Sequence, residues 1–213
     1  MPLQAGIVPV TPFQQNCTLI WDDASKLGAV VDPGGDLDRI EAAVAKVGMT
    51  VEKILLTHGH VDHAAGAAEL KEKLGGIPIE GPHEADRFLL DSLATSGLAF
   101  GMTGGRNVTP DRWLVEGDTV TVADATFSIL HCPGHSPGSV AYINAAQRFV
   151  LVGDVLFNGS IGRTEGLPQA NHATLIESIR TKLMPLDDDF AFICGHGPAS
   201  TIGEERRSNP YLV

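Results

Sequence analysis

The segment LLTHGHVDH, residues 55–63, constrains the chain most, because it places four metal-binding side chains within six residues. These side chains belong to His58, His60, Asp62 and His63. In an extended turn alternate side chains point the same way, so His58 and His60 can face one point. Asp62 and His63 are adjacent at the start of a predicted helix and can face a neighbouring point. Since imidazole and carboxylate groups are natural ligands of zinc and similar ions, the segment can supply two metal sites.

Three further candidate ligands come directly after predicted strands in other parts of the chain. They are His135 after strand 126–131, Asp154 after strand 148–152 and His196 after strand 190–194. Each has a glycine beside it or near it, which lets the backbone turn sharply and approach an ion closely. Because strand ends place side chains at a common edge of a fold, we expect these three residues to join the histidine-rich segment.

Composition and charge restrict the class of protein. The chain has 213 residues, of which 43% are hydrophobic and 19% are charged, as is ordinary for a globular protein. The formal net charge is −11, and an acidic chain repels a phosphate backbone. We therefore expect no nucleic-acid partner.

The cysteines and the N-terminal sequence favour a cytosolic location. The three cysteines are Cys17, Cys132 and Cys194. Their odd number and wide spacing support neither a disulfide framework nor a cysteine zinc knot. The opening MPLQAGIVPVTPFQQN lacks the basic and apolar regions of a signal peptide. No apolar stretch approaches membrane-spanning length, so we expect no association with a membrane.

Strand and helix patterns alternate in both halves of the chain. The predicted strands are 7–10, 17–21, 29–31, 53–57, 119–122, 126–131, 139–144, 148–152 and 190–194. The predicted helices are 36–48 with Asp36 as N-cap, one from His63 onward, and 83–95, 172–183 and 203–208. This alternation predicts an α/β (α+β) architecture of two packed sheets with helices outside. No linker marks a boundary, so we expect a single domain, 1–213.

Four motifs, THGHVDH, CPGHSPG, GDVLF and GHG in that order, make the chain resemble the metallo-β-lactamase superfamily. More closely, it resembles hydroxyacylglutathione hydrolases (glyoxalase II) in their compact form. The resemblance runs from TPFQQNC and VDPGGD near the start to GHGP and ERRSNPYL at the end. It implies a four-layer αββα sandwich with the metal site at one edge.

The resemblance also implies a dinuclear centre. His58, His60 and His135 would bind the first metal, Asp62, His63 and His196 the second, and Asp154 would bridge the two. The expected cofactors are two divalent metal ions, with zinc favoured and iron or manganese as alternatives. Two metals that share one water lower its pKa towards neutral, so the implied reaction is attack of a metal-bridging hydroxide on a carbonyl. Asp62 and Asp154 are the expected catalytic residues.

The substrate implied by the resemblance is a small-molecule thioester, S-lactoylglutathione or a related glutathione thioester. Arg163, in GSIGRTEG, is the candidate substrate-binding residue, because its planar guanidinium suits a carboxylate. Asp32, in VDPGGD, is expected to organise a turn near the site. We expect the chain to lack the helical domain through which long forms of the family hold glutathione. Another surface would then hold the peptide, or a different thioester is the substrate.

Two alternatives within the same superfamily stay open. A persulfide dioxygenase uses one iron held by two histidines and an aspartate, and has a similar Gly-Arg-Thr loop. A lactonase shares the full set of ligands. A zinc β-lactamase is disfavoured because those enzymes are usually exported. A non-enzymatic metal-binding module is disfavoured because a structural zinc site would be closed to water.

Overall fold

Two β-sheets and the helices outside them form the fold of this chain. The structure, a computed structural model, describes residues 3–213. Met1 and Pro2, the first two residues of the predicted 1–213 domain, lie outside the described residues.

The first sheet contains five strands in sequence order. They are β1 (Leu3–Val10), β2 (Gln15–Asp22), β3 (Leu27–Val31), β4 (Thr50–Leu55) and β5 (Ile79–Glu80). Strand β2 is antiparallel to both β1 and β3, whereas β4 is parallel to both β3 and β5. The carboxyl ends of β3 and β4 therefore lie at the same edge of this sheet.

The second sheet has six strands in the order β13-β12-β9-β8-β7-β6. They are β6 (Thr119–Val122), β7 (Ala125–His131), β8 (Val140–Asn144), β9 (Phe149–Gly153), β12 (Ala191–Cys194) and β13 (Ser200–Thr201). A hairpin of β10 (Leu156–Phe157) and β11 (Ser160–Ile161) stands apart. Strands β7 and β9 are both antiparallel to β8, and β12 is parallel to β9. Three strands therefore run the same way and end at one edge.

Seven α-helices lie in the described part of the chain, residues 3–213. They are α1 (Leu37–Val47), α2 (Val61–Ala64), α3 (Ala67–Lys73), α4 (Arg87–Leu90), α5 (Leu93–Ala99), α6 (His172–Ser178) and α7 (Ile202–Ser208). A 3₁₀ turn (Glu84–Asp86) precedes α4, and a π-helical turn (Ile179–Leu183) follows α6. No helix in this part of the chain has the length and apolar composition needed to cross a bilayer.

Alternate side chains of the central strands pack into different layers of the core. In β2, Leu19 packs with α1 and α3, whereas Ile20 points into the cluster between the sheets. In β9, Val150 packs with α6, whereas Leu151 joins the cluster between the sheets. Strands that are buried on both faces have nearly continuous apolar sequences. The four-layer αββα sandwich is therefore confirmed.

Several predicted bounds differ from the observed ones because of contacts between distant residues. Strand β4 ends at Leu55 instead of residue 57. The helix expected from His63 onward is divided into α2 and α3 near Gly66, whose N–H donates to Pro33 O at 3.0 Å. Asp36 does stand before α1, but its carboxylate accepts a hydrogen bond from Thr11 N at 2.8 Å instead of capping the helix.

Candidate metal centre

The edge where the parallel strands end carries all seven predicted ligands. The histidine-rich segment follows β4, His135 follows β7, Asp154 follows β9 and His196 follows β12. Their side chains form two neighbouring groups of three, with Asp154 between them. The carboxyl ends of parallel strands in such sheets are the usual place for a functional site.

The first group consists of His58, His60 and His135. Their ligand atoms all lie within 4.8 Å of one another. His60 Nδ1 and His135 Nε2 are 2.9 Å apart, and the three rings meet edge to face with centroids 4.6–4.9 Å apart. Three imidazole nitrogens facing one point match a zinc-type site of three protein ligands with an open position.

The second group consists of Asp62, His63 and His196, whose ligand atoms also lie within 4.8 Å of one another. Asp62 Oδ2 is 3.2 Å from His196 Nε2 and 3.9 Å from His63 Nε2. Asp62 and His63 reach this point because α2 begins at Val61 and turns them away from the first group.

Asp154 contacts members of both groups. Its Oδ1 lies 3.3 Å from His63 Nε2, and its Oδ2 lies 3.5 Å from both His135 Nε2 and His196 Nε2. One carboxylate therefore faces both groups, with one oxygen nearest to His63 and the other nearest to His135 and His196.

The unpaired polar atoms of this cluster test whether it fits a metal. Among residues 3–213, six buried side-chain nitrogen or oxygen atoms have no hydrogen-bond partner, and four of them belong to this cluster. The four are His58 Nε2, His60 Nε2, His63 Nε2 and Asp154 Oδ1. A buried polar atom without a partner is costly, whereas coordination to a cation would satisfy His58 Nε2, His63 Nε2 and Asp154 Oδ1. His60 faces His135 through its other nitrogen, Nδ1. The residues present therefore fit divalent metals.

Hydrogen bonds outside the cluster orient three of the imidazole rings. Nδ1 of His63 lies 2.9 Å from Asp32 Oδ2, Nδ1 of His135 lies 2.7 Å from Arg163 O, and Nδ1 of His196 lies 3.2 Å from Phe13 O. Each of these oxygens is an acceptor, so each Nδ1 carries the hydrogen. The Nε2 lone pair is then free to face the centre, as in metal-binding histidines generally.

His58 is held in the same way through Thr57. The Thr57 hydroxyl donates to Asp32 Oδ2 at 2.6 Å, so its oxygen is free to accept from His58 Nδ1, 3.0 Å away. Asp32 also accepts from Thr57 N at 2.7 Å. The expected turn-forming role of Asp32 is thus accompanied by a direct link to two histidines of the cluster.

Electrostatics keep the cluster in a state that can bind a cation. Burial lowers the pKa of His58 well below its usual range and lowers the pKa of His60 to about 3, so both are neutral at pH 7. Burial acts to raise the pKa of Asp154, but the charge and hydrogen bond of His63 outweigh it and hold that pKa well below the usual range. Burial acts to lower the pKa of His63, but the charges of Asp154 and Asp62 outweigh it and hold that pKa well above its usual range. Metals require neutral imidazole and ionised carboxylate, so metal binding would release the proton that His63 holds.

Glycines allow the backbone to pass close to the cluster. A Cβ on Gly195 would collide with Asp154 Oδ1 and would lie 2.5 Å from His63 Cε1. A Cβ on Gly34 would collide with the carbonyl oxygen of Asp62. The expectation that a glycine beside a ligand allows close approach is met at Gly195, which directly precedes His196.

Three further residues at the site were not identified from the sequence. Gln15 Nε2 lies 3.4 Å from His63 Nδ1, and Asn16 Nδ2 donates to Cys194 O and Gly197 O, which fixes the loop of His196. Asp86 binds the loops of the first group. Gln15 and Asn16 lie in the stretch TPFQQNC, whereas nothing in the sequence marks Asp86.

Arg163 lies beside the cluster with its side chain exposed. Its carbonyl oxygen is the partner of His135 Nδ1, which fixes the backbone of Arg163 next to the first group. Its guanidinium makes no hydrogen bond or ion pair with residues in the described range 3–213. It is therefore available to a ligand.

The cysteines offer no nucleophile. All three are free and buried, and burial raises the pKa of Cys132 to about 12 and that of Cys194 to about 11. A thiol with such a pKa is not ionised at neutral pH. Covalent catalysis by a thiolate is therefore not available.

Comparisons with known proteins identify the family of this chain. The family model of the metallo-beta-lactamase superfamily matches residues 10–196. Hydroxyacylglutathione hydrolase GloC of Haemophilus influenzae is 46% identical over 207 residues, which cover 97% of this chain and 96% of that protein. The chain belongs to the metallo-beta-lactamase superfamily. The prediction of a metal-dependent hydrolase is confirmed at that level.

Two solved structures show the same fold over nearly the whole chain. The B3 metallo-beta-lactamase BLEG-1 has a TM-score of 0.89 at 34% identity, covering 98% of this chain and 99% of that one. TTHA1623, crystallised in a di-iron-bound form, has a TM-score of 0.87 at 34% identity, covering 97% of this chain and 100% of that one.

Proposed function

We propose that this chain is a thioesterase that hydrolyses S-lactoylglutathione or a related glutathione thioester. The observation that carries the proposal is the position of Asp154 between the two groups of ligands. The name of the H. influenzae relative, which is similar over nearly its full length, supports the choice of thioester among the substrates of this superfamily.

Two divalent metals are the cofactors that this cluster would hold. His58, His60 and His135 would bind the first, Asp62, His63 and His196 the second, and Asp154 would bind both. Zinc suits a set of histidine and aspartate ligands, and iron and manganese are also compatible with it. When bound, the metals would activate water as the nucleophile and polarise the substrate carbonyl.

The residues of the chain have separate roles in this reaction. Asp62 lies beside His196 with its carboxylate partly exposed, so it can accept a hydrogen bond from the attacking water and orient it. Burial acts to raise the pKa of Asp62, but the charge of His63 and the hydrogen bond from His196 together outweigh burial and lower that pKa, so the carboxylate stays ionised. The leaving thiolate needs no acid from the protein, and no side-chain nucleophile takes part.

Arg163 is the residue that would recognise the glutathione part of the substrate. Its backbone is bound to His135, and its exposed guanidinium has no partner among residues 3–213. Glutathione carries carboxylates, which guanidinium binds through two parallel hydrogen bonds. A carboxylate held there would place the thioester next to the first group of ligands.

The test is thiol release from S-D-lactoylglutathione by purified protein that has been loaded with zinc. We expect release by the unchanged protein and by His172→Ala, which replaces an exposed histidine outside the cluster. We expect none by His58→Ala. If folded, metal-loaded protein releases no thiol, this substrate is rejected. Oxygen consumption with glutathione persulfide and hydrolysis of a lactone would then test the dioxygenase and lactonase alternatives.

A further inference from the structure

Asp86 is a buried carboxylate that belongs to neither group of ligands. It lies in the 3₁₀ turn Glu84–Asp86 and is fully buried. It accepts three hydrogen bonds, from Gly59 N at 2.8 Å, from Ser136 Oγ at 2.7 Å and from Gly138 N at 2.6 Å. No cationic side chain pairs with it among residues 3–213.

All three donors lie beside ligands of the first group. Gly59 stands between His58 and His60, and Ser136 directly follows His135. The loops that carry these histidines are far apart in the sequence and come from different sheets. A single carboxylate therefore fastens the loop after β4 to the loop after β7.

Packing at the same place is tight. A Cβ on Gly138 would lie 2.5 Å from Asp86 Cγ, and a Cβ on Gly59 would lie 3.2 Å from Asp86 Cβ. His83 N donates to Gly138 O at 3.1 Å, and Ser136 Oγ lies 2.8 Å from Ser139 Oγ. The 3₁₀ turn and both loops are thus bound together as one unit.

The hydrogen bonds of Asp86 adjoin ligands of the first group. None of them goes to α2, which carries Asp62 and His63, or to the loop of His196. Burying a carboxylate without a cation is costly. The hydrogen bonds that Asp86 accepts offset this cost, and they connect two separate loops. We propose that Asp86 is a positioning residue that sets the distance between the His58–His60 loop and the His135 loop, and so the affinity of the first metal site.

This inference rests on the proposed metal site, and it is tested by metal binding, independently of any substrate. Asp86→Asn keeps the shape of the side chain, but its amide nitrogen cannot accept a hydrogen bond. The matched control is Glu205→Gln. Glu205 is also buried and accepts from Gly159 N, Ser200 Oγ and Asn209 Nδ2, none of which adjoins a predicted ligand.

Zinc affinities are measured by competition with a chelator, and the absorption spectrum is recorded after cobalt substitution. We expect Asp86→Asn to weaken one of the two sites about 10–100-fold and to change its cobalt spectrum, as loss of a residue that supports metal ligands does. Glu205→Gln should bind both metals like the unchanged protein. In a His58→Ala background, Asp86→Asn should cause little further loss of zinc affinity, because both changes act on the same site.

Wild-type affinity at both sites in Asp86→Asn would overturn the proposal. So would an equal loss at both sites that Glu205→Gln reproduces, because it would indicate a general effect on the fold. If Asp86→Asn does not fold by circular dichroism, Ser136→Ala removes one of the three donors and should produce a smaller loss at the same site. A metal-loaded wild-type protein that fails to cleave the thioester would reject the proposed function and leave the role of Asp86 standing.

Discussion

Asp154 Oδ1 lies 3.3 Å from His63 Nε2, although the two residues are 91 positions apart in the sequence (154 minus 63). They meet because β4 and β9, in different sheets, end at the same edge of the sandwich. The other oxygen of Asp154 faces His135 and His196. The two groups of ligands therefore depend on one another through a single carboxylate.

Gly195→Ala tests the close approach of the backbone to this carboxylate. The added Cβ would collide with Asp154 Oδ1 and crowd His63, so we expect loss of bound metal and at least a tenfold loss of thiol release. Gly197→Ala is the control in the same loop, because a Cβ there meets nothing within 4 Å and costs only strain from a positive φ, about 1 kcal/mol. Equal activity in the two variants would refute the steric account.

Asp32→Asn tests the support of His63. Asp32 Oδ2 accepts from both Thr57 Oγ1 and His63 Nδ1, and Asp32 Oδ1 accepts from Thr57 N. The amide of asparagine has one oxygen, so it cannot accept from all three donors. We expect metal affinity to fall about 10–100-fold, as measured by chelator competition. Asp36→Asn, in the same stretch of sequence but exposed, should bind metal normally. Unchanged affinity in Asp32→Asn would show that the orientation of His63 does not depend on Asp32.

Arg163→Ala tests the recognition of substrate. If the guanidinium binds a carboxylate of glutathione, its loss should raise KM about tenfold and leave kcat within about twofold, since the interaction is equal in the ground and transition states. Steady-state kinetics of thiol release give both constants. Arg180→Ala, which removes an exposed arginine from another surface, should change neither. A fall in kcat at constant KM would assign Arg163 a different role.

The stability of the protein should depend on pH through Asp86. Burial raises the pKa of Asp86 to about 6, against hydrogen bonds from Ser136, Gly59 and Gly138 that lower it. An unfolded aspartate titrates near pH 3.9, so between about pH 4 and 6 the folded state holds this proton more tightly. The contribution of Asp86 to the free energy of unfolding is therefore greatest below about pH 4. It falls by about 3 kcal/mol as the pH rises to and beyond 6.

This dependence is measured by urea unfolding of metal-free protein between pH 4 and 8. Asp86→Asn lacks the titrating group and keeps all the histidines, so the difference between the two proteins isolates Asp86. The stability of the unchanged protein relative to the variant should decline from pH 4 to 6 and stay constant above. A difference that is constant over the whole range would show that the pKa of Asp86 is ordinary.

The alternation of strand and helix patterns predicted two packed sheets with helices outside, and the resemblance to the family supplied the four-layer order and the set of seven ligands. The structure brings the seven residues together, and their binding of metal stays a prediction. Apolar runs that are buried on both faces marked β2 and β9. Each candidate ligand lies in the loop or helix that follows a strand. The roles of Asp86 and Asn16 could not be predicted, since their partners are far away in the sequence and several are backbone groups.

The shortest elements could not be predicted either, because their sequences carry no local signal. Strands β5, β10, β11 and β13 have two residues each, which is too short for a periodic pattern. The break between α2 and α3 is caused by contact of Gly66 with Pro33, which no local signal shows. The single domain 1–213, the cytosolic location and the lack of a nucleic-acid partner stay predictions.

The central claim is that seven residues form one centre for two metals, joined by Asp154. It is tested most directly by counting metal ions per folded chain in the unchanged protein and in Asp154→Ala, with the exposed Asp124→Ala as control. We expect two ions in the unchanged protein and in the control, and loss of both ions together with activity in Asp154→Ala. A fully active Asp154→Ala that keeps both metals would contradict the dinuclear account.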